Sequence, residues 1–290
     1  MYKILILTDF SAASRHALAF AQALFADTAT EFCLLHAFEI EPTTGAFLLA
    51  EERQLAEELL RDFQHSMTPP PVPTYHTYRT VAMMDGPVNA VEILLAQEYF
   101  DLVVVGATGS GRSEFFGSVA TGMIRAANTN VLVVPVSTPI RPLERIVLAM
   151  DYPSVNNAEA FVFLKDLINR KAAQLTLLTI EKRRRVDSQA AEQSRRYVLN
   201  ALENLQIDTY SIHDDDVQQG LNAYLDTHQV GLLVMLPHHK GFLDVLLNNS
   251  VTRPLAYHPR VPLLTLYDSA TVAPTTETEL VDTLSPKAPF

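Results

Sequence analysis

Gly106, Gly109 and Gly111 crowd the end of a β-branched run, Val103-Val104-Val105, and Gly117-Ser118 follow at the head of an apolar stretch, Val119 to Ala127. Glycine lets a backbone approach a ligand closely, and the first N–H groups of a helix lack intrahelical partners and attract anions. Phe100 to Pro135 therefore reads as strand, glycine-rich loop, helix and strand, with phosphate as the group the loop could hold. Arg112 adds positive charge and Gly111 adds freedom to the same loop. A second chemistry-bearing residue, Asp9, ends a short apolar run, Lys3 to Thr8. A carboxylate at a strand's carboxyl end faces the crevice where open α/β sheets bind ligands.

Other patterns compete with this reading. Gly106 to Ser113 (GATGSGRS) nearly fits G-x-x-x-x-G-K-[ST], with Arg112 in the lysine position. Against it, the helix should open at Gly117-Ser118, and a fourth strand rather than a first would carry the motif. Asp9 also suits a helix cap, and Asp151 suits only that role. His238 and His239 are adjacent in a loop, a spacing that rarely converges on one metal ion. Asp214 to Asp216 and Lys182 to Arg185 read as solvated turns. His36 reads as a core or crevice-edge histidine with no partner legible in the sequence. Cys33 packs as a small apolar side chain, and as the only cysteine it excludes an intrachain disulfide and a cysteine zinc site. No nucleophile–base–acid order, metal-ligand spacing or acid pair stands out, so catalysis has no positive support.

Composition bounds the partners. The chain has 290 residues, 48% of them hydrophobic and 19% charged, with a net charge of −11. That is globular, with no basic face for nucleic acid or anionic membrane. The opening MYKILILTDFS resembles a core strand rather than a signal peptide, and no apolar run approaches the roughly 18 residues that span a bilayer. A cytoplasmic protein is expected.

The elements that must position these residues follow in order. Lys3 to Thr8 is a buried strand, and Ser11 or Ser14 caps a helix from Ala12 to Phe25. Glu31 to Phe38 is a second strand, Glu51 to His65 a helix, Thr74 to Thr80 a third strand and Val88 to Tyr99 a helix led by Pro87. Then the pattern repeats. Arg145 to Asp151 (RIVLAMD) matches Lys3 to Asp9 (KILILTD). Leu175 to Thr179, Glu192 to Leu205, Thr209 to His213, Leu232 to Leu236 and Val261 to Tyr267 match the later elements. Repetition at about 140 residues means two copies of one domain rather than a solenoid. The expected domains are 1–138 and 144–268, with 269–290 a tail of little structure.

A strand ending in Asp-x-Ser, a strand ending in G-x-x-G, a spacer, then Gly-Ser opening a helix before a final V-L-V-V strand resembles the universal stress protein family. The likeness covers Met1 to Tyr267 as two tandem copies. It implies an α/β fold of two tandem Rossmann-like (adenine nucleotide alpha hydrolase-like) domains, each a five-stranded parallel sheet with helices on both faces. It also implies a stress-response sensor or regulator that binds ATP, with Mg2+, and pairing through the last strands. By resemblance Asp9 holds the adenine amino group and Ala37 offers a backbone contact to the base. Gly106 and Gly109 lie near ribose and phosphate, and Gly117 and Ser118 take the phosphates. Thr8, Gly111 and Arg112 are further candidates for the same site.

The chain departs from the family pattern in both copies. Nine residues separate the second glycine from Gly-Ser in the family, but only seven do here, Ser110 to Phe116. The second copy keeps nine residues between His239 and Asn249-Ser250 but has no glycine at the marked positions. No nucleotide is therefore expected in the second domain. The last strands, Val131 to Val136 and Leu263 to Tyr267, are expected to pair as an intrachain pseudo-dimer, with further homo-oligomers open. The alternatives are a scaffold acting through an unknown protein partner without nucleotide, and a slow ATPase for which no base can be nominated.

Overall fold

The computed structural model describes residues 1–39, 46–107, 117–150, 157–181, 188–214, 216–236 and 261–268. Its first strands are buried on both faces, which is why they read as unbroken apolar runs. Ile4, Leu5 and Ile6 of β1 (Tyr2–Leu7) are fully buried, as are Val103 and Val104 of β4 (Leu102–Ala107). Between them in the chain come α1 (Ala12–Leu24), β2 (Thr30–Phe38), α2 (Ala46–Met67), β3 (His76–Met84) and α3 (Pro87–Gln97). α4 (Gly117–Ala126) and β5 (Asn130–Pro135) complete the first half.

The second half repeats the plan. β6 (Arg145–Met150) leads through a 3-10 turn (Ala158–Phe161) into α5 (Val162–Lys171). β7 (Gln174–Glu181), α6 (Ser188–Ala201), β8 (Ile207–His213), α7 (Val217–Thr227), β9 (Leu232–Met235) and β10 (Leu263–Thr265) follow. The described strands form one ten-stranded sheet in the order β3-β2-β1-β4-β5-β10-β9-β6-β7-β8. Each half is parallel throughout, and only the β5–β10 seam is antiparallel, pairing Leu132 with Leu264. The expected pairing of the last strands within one chain is what the sheet contains. Thr265 Oγ1 donates to the Val131 carbonyl at 3.3 Å, and the Tyr267 N–H donates to Asn130 Oδ1 at 3.0 Å across the seam.

One core lies under α1, α2, α5 and α6, and it runs continuously from Ile4 and Leu18 in the first half to Leu164 and Leu264 in the second. The other lies under α3, α4 and α7. The two halves are joined on the first face where α1 and α5 meet. Arg170 Nη1 and Lys171 Nζ reach Asp27 Oδ1 at 2.7 and 3.0 Å. The Arg170 guanidinium also lies over the rings of Tyr2 and Phe25, each 5.2 Å from the centroid, and binds Asp166 at 2.7 Å. The Tyr2 hydroxyl donates to the same carboxylate.

Several boundaries moved from their expected places. β3 runs on to Met84, because Val81 to Met84 pair with Leu35 to Phe38 of β2 even though the polar–aromatic alternation stops at Thr80. α6 occupies Ser188–Ala201 rather than Glu192 to Leu205, and Leu202 and Leu205 cap its end as turn residues. α2 starts at Ala46, before its charged stretch. Cys33 is fully buried, and that burial pushes its thiol up to about 12. Iodoacetamide should therefore leave Cys33 unlabelled in the native protein and label it fully in guanidinium, read by intact mass. Native labelling at the denatured rate would mean the strand opens.

Candidate functional site

In a doubly wound sheet the crevice opens where the strand order reverses. In the first half that point lies between β1 and β4. Their ladder spans Ile4–Leu102 to Ile6–Val104 and then stops, so Thr8-Asp9 and Gly106 stand at its carboxyl mouth. On the other side of β1 the ladder with β2 ends at Leu7–Leu35, leaving Ala37 two residues beyond the last rung. Ala37 is half-buried and packs toward the face that carries α3 and α4.

The loop after β1 is tied by side chains. The Thr8 hydroxyl donates to Ser14 Oγ at 3.0 Å and accepts the Phe10 N–H at 3.0 Å. Thr8 is buried, so its side chain shapes the loop from inside. Phe10 adopts a left-handed conformation with φ 64°, which costs a bulky residue on the order of 1–3 kcal/mol. The loop holds it there: its ring lies 4.4 Å from His36 and 5.6 Å from Phe63, and Arg15 Nε donates to its carbonyl. His36 Nδ1 sits 2.9 Å from the Thr8 carbonyl, so that nitrogen carries the proton. The partner that the sequence did not reveal is thus a backbone atom.

Asp9 projects from this loop, exposed. Its Oδ1 accepts the Ser11 N–H at 3.1 Å. Partial burial pushes its carboxyl up, but hydrogen bonds from Ser11 and Ser14 outweigh that and hold it below the usual carboxylate range. It is therefore ionised at neutral pH and can only accept hydrogen bonds. The cap of α1 is Ser11, whose Oγ accepts the Ser14 N–H at 3.3 Å, so Asp9 is not the capping residue.

Gly106 has a neighbour the sequence did not show. A Cβ there would lie 2.4 Å from the Ala13 carbonyl oxygen and 2.9 Å from the Ser14 nitrogen. The glycine thus lets the first turn of α1 rest directly on β4. α4 begins at Gly117, as expected, and its first N–H groups follow β4 in the chain. Gly109, Gly111 and Arg112, with the rest of the 108–116 loop, lie outside the described residues, as do the side chains at 117 and 118. So do Asp151, His238, His239, Lys182 to Arg185, Asn249, Ser250 and the tail. Asp214 and Asp216 form the expected turn: Asp214 Oδ1 accepts the Asp216 N–H at 2.9 Å, and Asp216 caps α7 by accepting the Gln219 N–H at 3.2 Å. Among the described residues no group of three or more His, Cys, Asp or Glu could hold a metal, and no helix is long and apolar enough to cross a membrane.

These features define the class: an α/β protein whose two halves each repeat the order 3-2-1-4-5 and share one sheet. Residues 1–135 match the model of the universal stress protein family. The structure of a universal stress protein from Archaeoglobus fulgidus superposes over 91% of this chain and 97% of its own, with a TM-score of 0.67 and 15% identity. A Pseudomonas aeruginosa UCBPP-PA14 protein described as belonging to the same family covers 92% and 93%, with a TM-score of 0.56 and 14% identity. The cytoplasmic domain of a prokaryotic cation chloride cotransporter covers 93% and 96%, with a TM-score of 0.56 and 13% identity. At these identities the likeness is one of fold, and it embraces both halves. No curated protein matches the chain in sequence.

Proposed function

We propose that the chain is a stress-response sensor or regulator that binds an adenine nucleotide, ATP with Mg2+, in the crevice of its first half. Asp9 accepts the base amino group, the Ala37 backbone lines the base, and Gly106 and Gly109 border the ribose and phosphates. The N–H groups of Gly117 and Ser118 take the phosphates, with Thr8, Gly111 and Arg112 completing the loop. Domains of 1–138 and 144–268 and a tail of 269–290 go with this reading, the second domain binding no nucleotide. The observation that carries it is Asp9: an ionised, exposed carboxylate held at the β1 end of the crevice, in the half that matches the family.

Calorimetry with ATP tests the reading. Asp9→Ala removes a charged acceptor worth about 1.5–3 kcal/mol, so affinity should fall roughly 10- to 100-fold. Gly117→Asp places a carboxylate where phosphate would bind and should abolish binding, while the acid itself favours the helix start. Because the Asp9 carboxyl is held low, the difference in affinity between wild type and Asp9→Ala should persist from pH 8 down to the ordinary carboxylate range and close only below it. A wild type that takes up no ATP sinks the proposal.

One observation favours the scaffold alternative. Gly106 is accounted for by the α1 backbone against it, so that glycine needs no ligand to explain it. Nucleotide found by mass spectrometry in freshly purified protein would rule the scaffold out.

A further inference from the structure

Two clefts flank the place where α1 and α5 meet, and the repeat makes them counterparts. Ile4 pairs with Leu102 as Ile146 pairs with Leu232, so Asp101 ahead of β4 corresponds to Gly231 ahead of β9. Asp101 lines one cleft, of about 440 Å³, and Gly231 lines the other, of about 460 Å³. Their charges are opposite. Among the described residues, the Asp101 cleft is also lined by Glu159 and Asp166 and by no Lys or Arg. The Gly231 cleft is lined by Arg141 and Lys171 and by no Asp or Glu, in a chain of net charge −11.

The cationic cleft is largely apolar and its walls are preformed. Phe20 and Leu24 of α1 make one wall, and residues 138–143, after β5, make another. Both ends of that segment are anchored. Thr138 and Leu143 are buried, and the Thr138 N–H donates to the Pro135 carbonyl at 2.9 Å. Pro139 and Pro142 fix φ between the anchors. Ile140 nevertheless stays 45% exposed, an apolar side chain left open beside the cleft. The charges nearby do not cancel. Arg170 pairs with Asp27 and Asp166, and Lys171 pairs with Asp27, so two cations and two carboxylates compensate each other. Arg141 has no ion pair among the described residues.

We propose that this cleft binds a small amphipathic anion, a straight-chain carboxylate of medium length. The carboxylate meets Arg141, whose planar fork matches two oxygens at once, and Lys171 supplies a second positive charge. The alkyl chain lies along Phe20, Leu24, Ile140 and Val230. A volume of about 460 Å³ falls within the roughly 300–1,000 Å³ typical of small-molecule sites. Charge selects the ligand: an alkyl chain alone would suit the walls, but only an anion answers the unpaired guanidinium. None of the residues placed in the nucleotide crevice lines this cleft, so the two readings stand or fall separately.

Calorimetry of the full chain with octanoate, kept below micelle-forming concentration, tests this. Affinity should rise about fourfold per added CH₂ along butanoate, hexanoate and octanoate, the increment for burying one such group. Octanol and octylammonium should bind about tenfold more weakly or worse, because the first forms no ion pair and the second is repelled. Arg141→Gln should cut octanoate affinity roughly 10- to 100-fold and leave octanol unchanged. Ala23→Phe, at an exposed position of α1 that lines the cleft, should block both ligands while circular dichroism stays native. Saturating ATP should leave octanoate affinity unchanged. A wild type that takes up no octanoate overturns the proposal, as does octanol or octylammonium binding as tightly as octanoate. Octanoate binding that survives Arg141→Gln or Ala23→Phe at full affinity, or that ATP displaces, places the ligand elsewhere and also overturns it.

Discussion

Arg170→Ala is expected to be the most destabilising single change at the junction of the halves, costing about 2–3 kcal/mol. The figure follows from what the guanidinium touches. It pairs with Asp27 and Asp166 and lies over two aromatic rings, with its own side chain only 15% exposed. Exposed ion pairs contribute about 0.2–1 kcal/mol and buried ones cost about 3–5 when one partner is removed. The two carboxylates, at 35% and 42% exposure, place this network between those limits. Each cation–π contact adds about 0.5–1 kcal/mol. Arg170→Lys should recover little, because an ammonium cannot span Asp27 and Asp166 while lying flat on Tyr2 and Phe25. Urea unfolding followed by circular dichroism measures the loss, and a change below about 0.5 kcal/mol would show the network to be ornamental.

The same network sets a pH response with a definite sign. Partial burial pushes the Asp27 carboxyl up, but Lys171 and Arg170 outweigh it and hold it below its ordinary value. A carboxyl whose pKa is lower folded than unfolded stabilises above the unfolded value and loses that contribution as pH falls through the folded one. The wild type should therefore lose more stability than Arg170→Ala on acidification through and below the usual carboxylate range, and the two curves should converge there.

The sheet was legible because doubly buried strands leave unbroken apolar runs such as Val103 to Val105, and the repeat was legible because β1 and β6 carry nearly the same string. β3 extends past its legible part because the polar–aromatic alternation stops at Thr80 while the ladder to β2 runs on to Met84. His36 looked partnerless because its partner is the Thr8 carbonyl on the neighbouring strand, and a backbone acceptor leaves no trace in residue type. Asp9 could be placed at the crevice from its position alone, but the hydrogen bonds that keep it ionised come from Ser11 and Ser14, which the sequence offered only as rival caps. Gly106 shows the deeper limit. A glycine at a strand's end marks something approaching closely, and spacing cannot say whether that is a ligand or a helix. The second copy held a signal: by the strand registers Gly106 corresponds to Leu236, which is buried in the core beneath α5. The positions in that half that match the first turn of α1 lie outside the described residues, and a 3-10 turn, Ala158–Phe161, leads into α5.

Gly106→Ala is the second change expected to have a large effect, and it separates packing from binding. The added methyl would sit 2.4 Å from the Ala13 carbonyl oxygen and 2.5 Å from its carbon. Those atoms are backbone, so no rotamer change relieves the clash, and the first turn of α1 has to move. Overpacking of this kind costs about 1–3 kcal/mol, and the rigid partner puts this case at the upper end. The displaced turn carries Ser11 and Ser14, which hold Asp9, so nucleotide affinity should fall along with stability. Gly122→Ala is the matched control. Its methyl would meet Val88 Cγ2 at 2.7 Å, a side-chain rather than a backbone contact, and alanine gains up to about 1 kcal/mol of helix propensity within α4 to set against it. It should stay within about 1 kcal/mol of wild type and bind ATP normally. If Gly106→Ala matched that control in urea unfolding yet lost ATP, the glycine would serve the ligand. If it lost stability and still bound ATP at full affinity, Asp9 would not depend on where α1 begins.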